Sequence, residues 1–86
     1  MPKLNKYEQA LWNLLLDKGA RKEYYINGYF LTLEEAQGEL KKEFNLEGIN
    51  LLSTTISLMY GNIFKKVEPG GEVRIVPQNK MLQYLN

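Results

Sequence analysis

The chain has 86 residues, 44% apolar and 24% charged, which describes one globular domain near the lower size limit for folding without staples. It contains neither cysteine nor histidine, which excludes disulfides and thiolate metal sites and removes the commonest general base and metal ligand. A net charge of +1 gives no bulk attraction to nucleic acid, so any such binding requires a local patch.

No apolar run approaches the roughly 20 residues that span a bilayer. The start, Met1-Pro2-Lys3-Leu4-Asn5-Lys6, lacks the apolar core and small-residue cleavage site of a secretory signal. A cytoplasmic protein without membrane association is expected. Nine of the eleven basic residues are Lys and eight residues are Asn, a bias that fits an AT-rich genome.

A first helix is expected over 6–18. Asn5 is placed to cap it and Glu8 to answer from the first turn, while Gly19 stops it. Leu4, Tyr7, Leu11, Leu14 and Leu15 form its apolar stripe. Trp12 and Leu16 lie beside that stripe and widen it beyond what a surface helix needs. The C-terminal Met81, Leu82 and Leu85, a second copy or another protein are the candidates to cover them.

From 23 to 31 the pattern is β. Tyr24-Tyr25-Ile26 and Tyr29-Phe30-Leu31 flank Asn27-Gly28, the signature of a tight hairpin, with a single kinked strand as the alternative. Thr32 and Glu35 form a capping box that opens a second helix over 33–44, with Leu33, Ala36, Leu40 and Phe44 on one side. Asn45 to Gly48 breaks it. A third helix is expected over 50–61, where Ile49, Leu52, Ile56, Met59, Tyr60 and Ile63 give the cleanest helical period in the chain.

Two strands over 63–76 then form a hairpin around Pro69-Gly70-Gly71, with Val67 opposite Val73 and Lys66 opposite Arg74. Pro77 ends the pairing because it has no N–H to donate. The tail, 77–86, has the makings of a short helix from Gln78 to Leu85. The whole chain, 1–86, is read as a single α+β domain.

Three constellations are candidates for function. With Leu52, Ile56 and Met59 turned inward, Asn50, Ser53, Thr54 and Ser57 share the outer side of the third helix, where short polar groups can bond phosphates or base edges. That side has no Arg, Lys or Gln, and a plain solvated face is the competing reading. Lys65, Lys66 and Arg74 crowd one hairpin, and a bound phosphate would relieve their repulsion, as would Glu68 and Glu72 at the tip. Tyr24, Tyr25, Tyr29 and Phe30 are divided by alternation between core and surface. The outward ones could stack on bases or anchor a protein partner.

The Gly70-Gly71 pair is turn chemistry, since no helix follows it to meet an anion. Glu34, Glu35, Glu39, Glu43 and Glu47 have no His or Cys beside them, so neither a metal site nor catalysis is expected, and no cofactor.

From Lys6 to Val76 the order helix, β element, helix, turn, helix, two-stranded wing resembles the winged helix-turn-helix superfamily. Leu52-Ser53-Thr54-Thr55-Ile56-Ser57 looks like the start of a recognition helix in such proteins. The resemblance implies either of two roles. One is a small DNA-associated protein, with Asn50, Ser53, Thr54 and Ser57 at the groove and Lys65, Lys66 and Arg74 on phosphates; its compact, AT-biased sequence suits a plasmid, phage or other mobile element, in replication or regulation. The other is a protein-docking adaptor or small subunit of a replication or transcription complex, contacting its partner through Trp12, Leu16, Tyr24, Tyr25 and Tyr29. Homodimerisation through the first helix accompanies the second role.

Overall fold

The computed structural model describes residues 1–85; Asn86, the end of the expected tail, lies outside the described residues. The first helix, α1 (Lys6–Lys18), starts where the sequence places its cap. The Asn5 Oδ1 accepts the Glu8 N–H at 2.8 Å, and the Glu8 carboxylate accepts the Asn5 N–H at 2.9 Å. Two of the helix's otherwise unpaired backbone donors are thereby satisfied. It ends at Gly19, whose φ of +72° costs an L-residue dearly and glycine nothing.

Strands β1 (Arg21–Glu23) and β2 (Ile26–Gly28) follow as a hairpin, and β3 (Leu31–Thr32) leads straight into α2 (Leu33–Phe44). Thr32 caps α2 in a second reciprocal box with Glu35. Asn45, in the left-handed region at φ 54°, ends α2, and α3 (Gly48–Met59) follows. Strands β4 (Phe64–Val67) and β5 (Arg74–Pro77) complete a three-stranded antiparallel sheet in the order β3-β5-β4. Short 3-10 helices lie at Pro69–Gly71 (one turn) and Asn79–Tyr84 (two turns).

The domain is therefore α+β, with α2 and α3 packed on a small three-stranded sheet, α1 packed on α2, and a separate two-stranded hairpin. The core is one cluster drawn from every main element: Leu11, Trp12 and Leu15 from α1, Leu31 from β3, Ala36 and Leu40 from α2. Leu58 of α3, Ile63, Phe64, Ile75 and Met81 close it from the other side. Tyr7 and Phe44 meet edge to face at 4.9 Å where α1 crosses α2. No helix among the described residues is long and apolar enough to cross a membrane.

Four expectations are corrected. The first hairpin turns at Tyr24-Tyr25, with Glu23 paired to Ile26 and Arg21 to Gly28, so Asn27-Gly28 closes the second strand instead of forming the turn. Anchors at each end of β1 decide this: Arg21 is fixed on Glu35 and Glu23 on Arg74. In the second hairpin the register is one residue off the expected one. Val67 faces Arg74 and Lys66 faces Ile75, because Glu72 and Val73 belong to the loop.

The third correction concerns Trp12. It is 2% exposed and packs on Phe64, ring centroids 6.2 Å apart, so its indole fills the core and presents nothing to a partner. Of α1's large apolar side chains only Leu16 is well exposed, which leaves this helix little surface for homodimerisation.

The fourth and largest correction is the rotation of α3. Leu51, Thr55 and Leu58 turn inward, and Met59 is half-buried; Leu52 and Ile56, expected in the core, face solvent. Thr55 is fully buried at little cost because its hydroxyl donates to the Leu51 carbonyl at 2.6 Å. Helix ends move with the rotation, from the expected 50–61 to Gly48–Met59.

Truncation measures this orientation directly. Leu58→Ala is expected to cost about 2–4 kcal/mol and Trp12→Ala about 3–5 kcal/mol in urea unfolding. Leu52→Ala, on the outer side, is expected to cost under about 0.5 kcal/mol at low protein concentration. A Leu52→Ala loss equal to that of Leu58→Ala would refute the orientation.

Candidate functional site

The outward side of α3 is built from the same twelve residues that close the core, and it is apolar along its length. Ile49 is 78% exposed, Leu52 52%, Ile56 44% and Tyr60, at the helix end, 67%. These are four of the nine large apolar side chains that the described residues leave in solvent, and no other element gathers as many. Spaced i, i+3, i+7 and i+11, they form one continuous stripe, the spacing by which a helix presents anchors to a protein surface. Scattered exposed apolar residues need no explanation, whereas a contiguous patch marks an interaction site.

Asn50, Ser53 and Ser57 are exposed along one flank of that stripe, and Thr54 is half-buried. The Ser53 hydroxyl bonds back to the Asn50 carbonyl at 3.3 Å. Thr54 and Ser57 line a shallow groove against Asn5, Tyr7 and Glu8 at the start of α1. The four polar residues singled out in the sequence thus lie together, but beside an apolar ridge. The helix carries no charged residue anywhere from Gly48 to Met59.

The cations expected on the second hairpin are each engaged separately by partners of their own. Arg74 is the most committed, with its side chain only 12% exposed. Its guanidinium donates to Glu23 at 2.8 and 3.1 Å, to Glu72 at 2.8 Å and to the Val73 carbonyl at 2.9 Å, and it lies 5.9 Å from the Phe30 ring. The hydrogen bonds it donates to the Glu23 carboxylate, opposed in part by burial, keep its pKa above the ordinary arginine value. Lys66 pairs with Glu68 at 3.0 Å and sits 5.5 Å from the Tyr60 ring. Its ammonium is raised to about 12, chiefly by the Tyr60 hydroxyl and then by Glu68. Lys65 donates to the Asn79 side chain at 3.2 Å.

Arg74 and Lys66 of the second hairpin are therefore neutralised from within, while Lys65 meets only the uncharged Asn79 amide. Glu72 and Glu68 supply the relief that a phosphate would have supplied, and Glu23 of the first hairpin adds a contact that no spacing in the sequence reveals.

Tyr24 and Tyr25 form the exposed turn of the first hairpin, their rings 4.3 Å apart and edge to face. Tyr25 packs over the tip of the wing so closely that a Cβ at Gly70 would fall 2.2 Å from its ring. The two tyrosines line a cleft with Pro69, Gly70 and Arg74, separate from the α3 stripe. Tyr29 is half-buried against the core. Leu16 is exposed on α1.

One polar cluster missed in the sequence joins three elements. The Glu35 carboxylate accepts the Thr32 N–H at 2.9 Å, Arg21 Nη1 at 2.9 Å and Lys18 Nζ at 3.3 Å. Arg21 also donates to the Phe30 carbonyl and lies 4.4 Å from that ring. The hydrogen bond from Arg21 leads in holding the Glu35 carboxyl down, at about 2 against an ordinary 4.5. Its capping role was legible; its cationic partners were not. Among the described residues no three acidic side chains are grouped to hold a metal ion.

Compared with known proteins, the chain matches no family model, no curated protein and no solved structure.

The Glu35 cluster makes stability pH-dependent in one direction. A carboxyl depressed in the folded state stabilises above its unfolded pKa, and that contribution fades as pH falls from about 4.5 toward about 2. Acid titration of the melting temperature should show this loss, and Glu35→Gln should lower stability at neutral pH and flatten the slope between those values. An unchanged slope in the variant would dismiss Glu35 as its source.

Proposed function

We infer that this chain is a non-catalytic module of the winged helix-turn-helix kind that works by docking proteins through α3, as a small subunit of a replication or transcription assembly. Support for the fold assignment comes from the order α1, β3, α2, α3, β4, β5 and from the sheet order β3-β5-β4, with α3 in the place of a recognition helix and the β4–β5 loop in that of a wing.

A single observation carries the docking reading: the exposed apolar stripe Ile49, Leu52, Ile56 and Tyr60 runs along a helix with no charge. A duplex groove is lined by phosphates and polar base edges, and a surface entering it needs cations and bidentate donors. A protein surface rewards apolar anchors with a polar, hydrogen-bonding rim. The stripe with its Asn50, Ser53 and Ser57 flank has the second composition. DNA association, as in a mobile-element protein, is the second reading, favoured by those same three exposed polar residues.

Two measurements separate them. Fluorescence anisotropy on duplex and single-stranded DNA at low salt should show weak binding, little changed in Lys65→Glu/Lys66→Glu, two sites chosen because Arg74 is structural. Tagged protein expressed in its host should retain its protein contacts in Lys65→Glu, which leaves the Lys66 beside Tyr60 in place, and lose them in Leu52→Asp. Submicromolar DNA binding that falls tenfold or more in the double variant, with contacts indifferent to Leu52→Asp, would reverse the assignment.

A further inference from the structure

The partner of the α3 face can be specified from its chemistry. Resting on the docking reading above, the geometry points to a second copy of this chain, with the two α3 helices packed antiparallel across a twofold axis near residues 53–55.

A twofold interface must be complementary to itself. A charge near the axis meets its own image, so the centre of such an interface is best left uncharged. The α3 face meets that condition: from Gly48 to Met59 there is no charge to repel, and the flanking Asn50, Ser53 and Ser57 carry amides and hydroxyls that both donate and accept. A partner recognised by charge would leave a charged rim on this helix, and there is none.

The stripe also fits its own reverse. In an antiparallel pair Leu52 of one copy meets Ile56 of the other, and Ile49 meets the Met59–Tyr60 end, so each bulky residue faces an apolar one. Asn50 comes alongside Ser57 of the second copy. These are matched contacts without a gap at either end.

Charge at the helix ends then selects the direction. Glu47, the residue before α3, is exposed and has no ion pair among the described residues. At the opposite end Lys66 lies beside Tyr60 and is shared with its own Glu68 at 3.0 Å, so the second copy's Glu47 adds a further carboxylate to an existing pair. Antiparallel packing brings Glu47 of each copy toward Lys66 of the other, twice over, and sets the helix dipoles head to tail. Parallel packing would set Glu47 against Glu47 and align the dipoles unfavourably.

Area fixes the strength. The four side chains amount to about 500 Å² per copy, the size of the largest functional patches on monomers. A standard interface takes about 800 Å² from each partner, so a pair held by this smaller patch is expected to be concentration-dependent and not obligate.

Sedimentation equilibrium of the full chain tests this. The average mass should climb from the 10.0 kDa of one chain toward twice that as concentration rises through the micromolar range. Leu52→Asp, at an exposed site, should weaken association on the order of 30-fold while leaving the circular dichroism unchanged. Glu47→Lys should weaken it roughly 3- to 10-fold, and adding Lys66→Glu should restore it, a rescue that loss of helix stability cannot produce.

Direction has its own readout, since the native chain has no cysteine. Ser53→Cys, near the axis, should form a disulfide-linked dimer under mild oxidation. Ile49→Cys, at the far end, should not, because its Cα would lie well beyond the ~7 Å limit from its counterpart.

A wild type of single-chain mass at every attainable concentration overturns the self-pairing, while the docking reading stands or falls separately on the host experiment with Leu52→Asp. A dimer indifferent to Leu52→Asp overturns it as well. Efficient linkage through Ile49→Cys overturns the antiparallel arrangement.

Discussion

A twelve-residue helix can turn only one side to a core, and in this protein α3 has two apolar sides to offer. The one it buries, Leu51, Thr55 and Leu58, is the weaker by hydrophobicity and the better by fit. Small Thr55 lets the helix approach closely, and its hydroxyl is satisfied locally by the Leu51 carbonyl. A longer side chain in its place would hold the helix off the core. The stronger stripe is left outside, where burying each of its members is worth roughly 1.5–3 kcal/mol. Several kilocalories of unused hydrophobic driving force thus sit on one exposed helix, in a domain whose total stability is expected to be only about 5–15 kcal/mol.

The charges are arranged in the opposite sense, spent internally. Glu35 joins the end of α1, strand β1 and the start of α2, and Arg74 joins the first hairpin to the wing loop. Both anchors lie on the far side of the chain from their partners in sequence, 14 residues for Arg21–Glu35 and 51 for Arg74–Glu23. They fix short strands that have few ladder bonds of their own, since a hairpin of three-residue strands is marginal in isolation. A second hairpin immobilised in this way, with Arg74 and Lys66 paired, projects little field toward a polyanion.

Local rules were read correctly where local chemistry decides the outcome. Asn5 with Glu8 and Thr32 with Glu35 are reciprocal caps within four residues of sequence, and both stand in the structure with their donors satisfied. The stripes of α1 and α2 point inward for the same reason: each helix has one apolar side. Where two local answers compete, tertiary contacts choose. Asn27-Gly28 has the stronger turn chemistry, yet the turn falls at Tyr24-Tyr25 because Arg21 and Glu23 are each held by a distant partner. Trp12 broadens α1 beyond a surface helix, and the covering group proved to be internal, Phe64 of β4. The polar residues Asn50, Ser53, Thr54 and Ser57 were located together correctly; their apolar neighbours were placed on the wrong side. Nothing in a helical period says which of two stripes meets the core.

That ambiguity bears on function, because the same rotation decides which surface the helix offers. With Leu52 and Ile56 inside, α3 would present only hydroxyls and an amide, a face suited to phosphates and water. With them outside, the hydroxyls become the rim of an apolar ridge. Any partner that covers the ridge also covers Asn50, Ser53 and Ser57, so one helix cannot serve a protein and a groove at once. The competition is uneven. Polar flank groups keep their hydrogen bonds to water while exposed and gain about 1 kcal/mol each on pairing, whereas the ridge gains from every square ångström removed from water. The surface therefore favours a dry partner over a hydrated one, and the absence of charge along the helix leaves shape and apolar contact to select it.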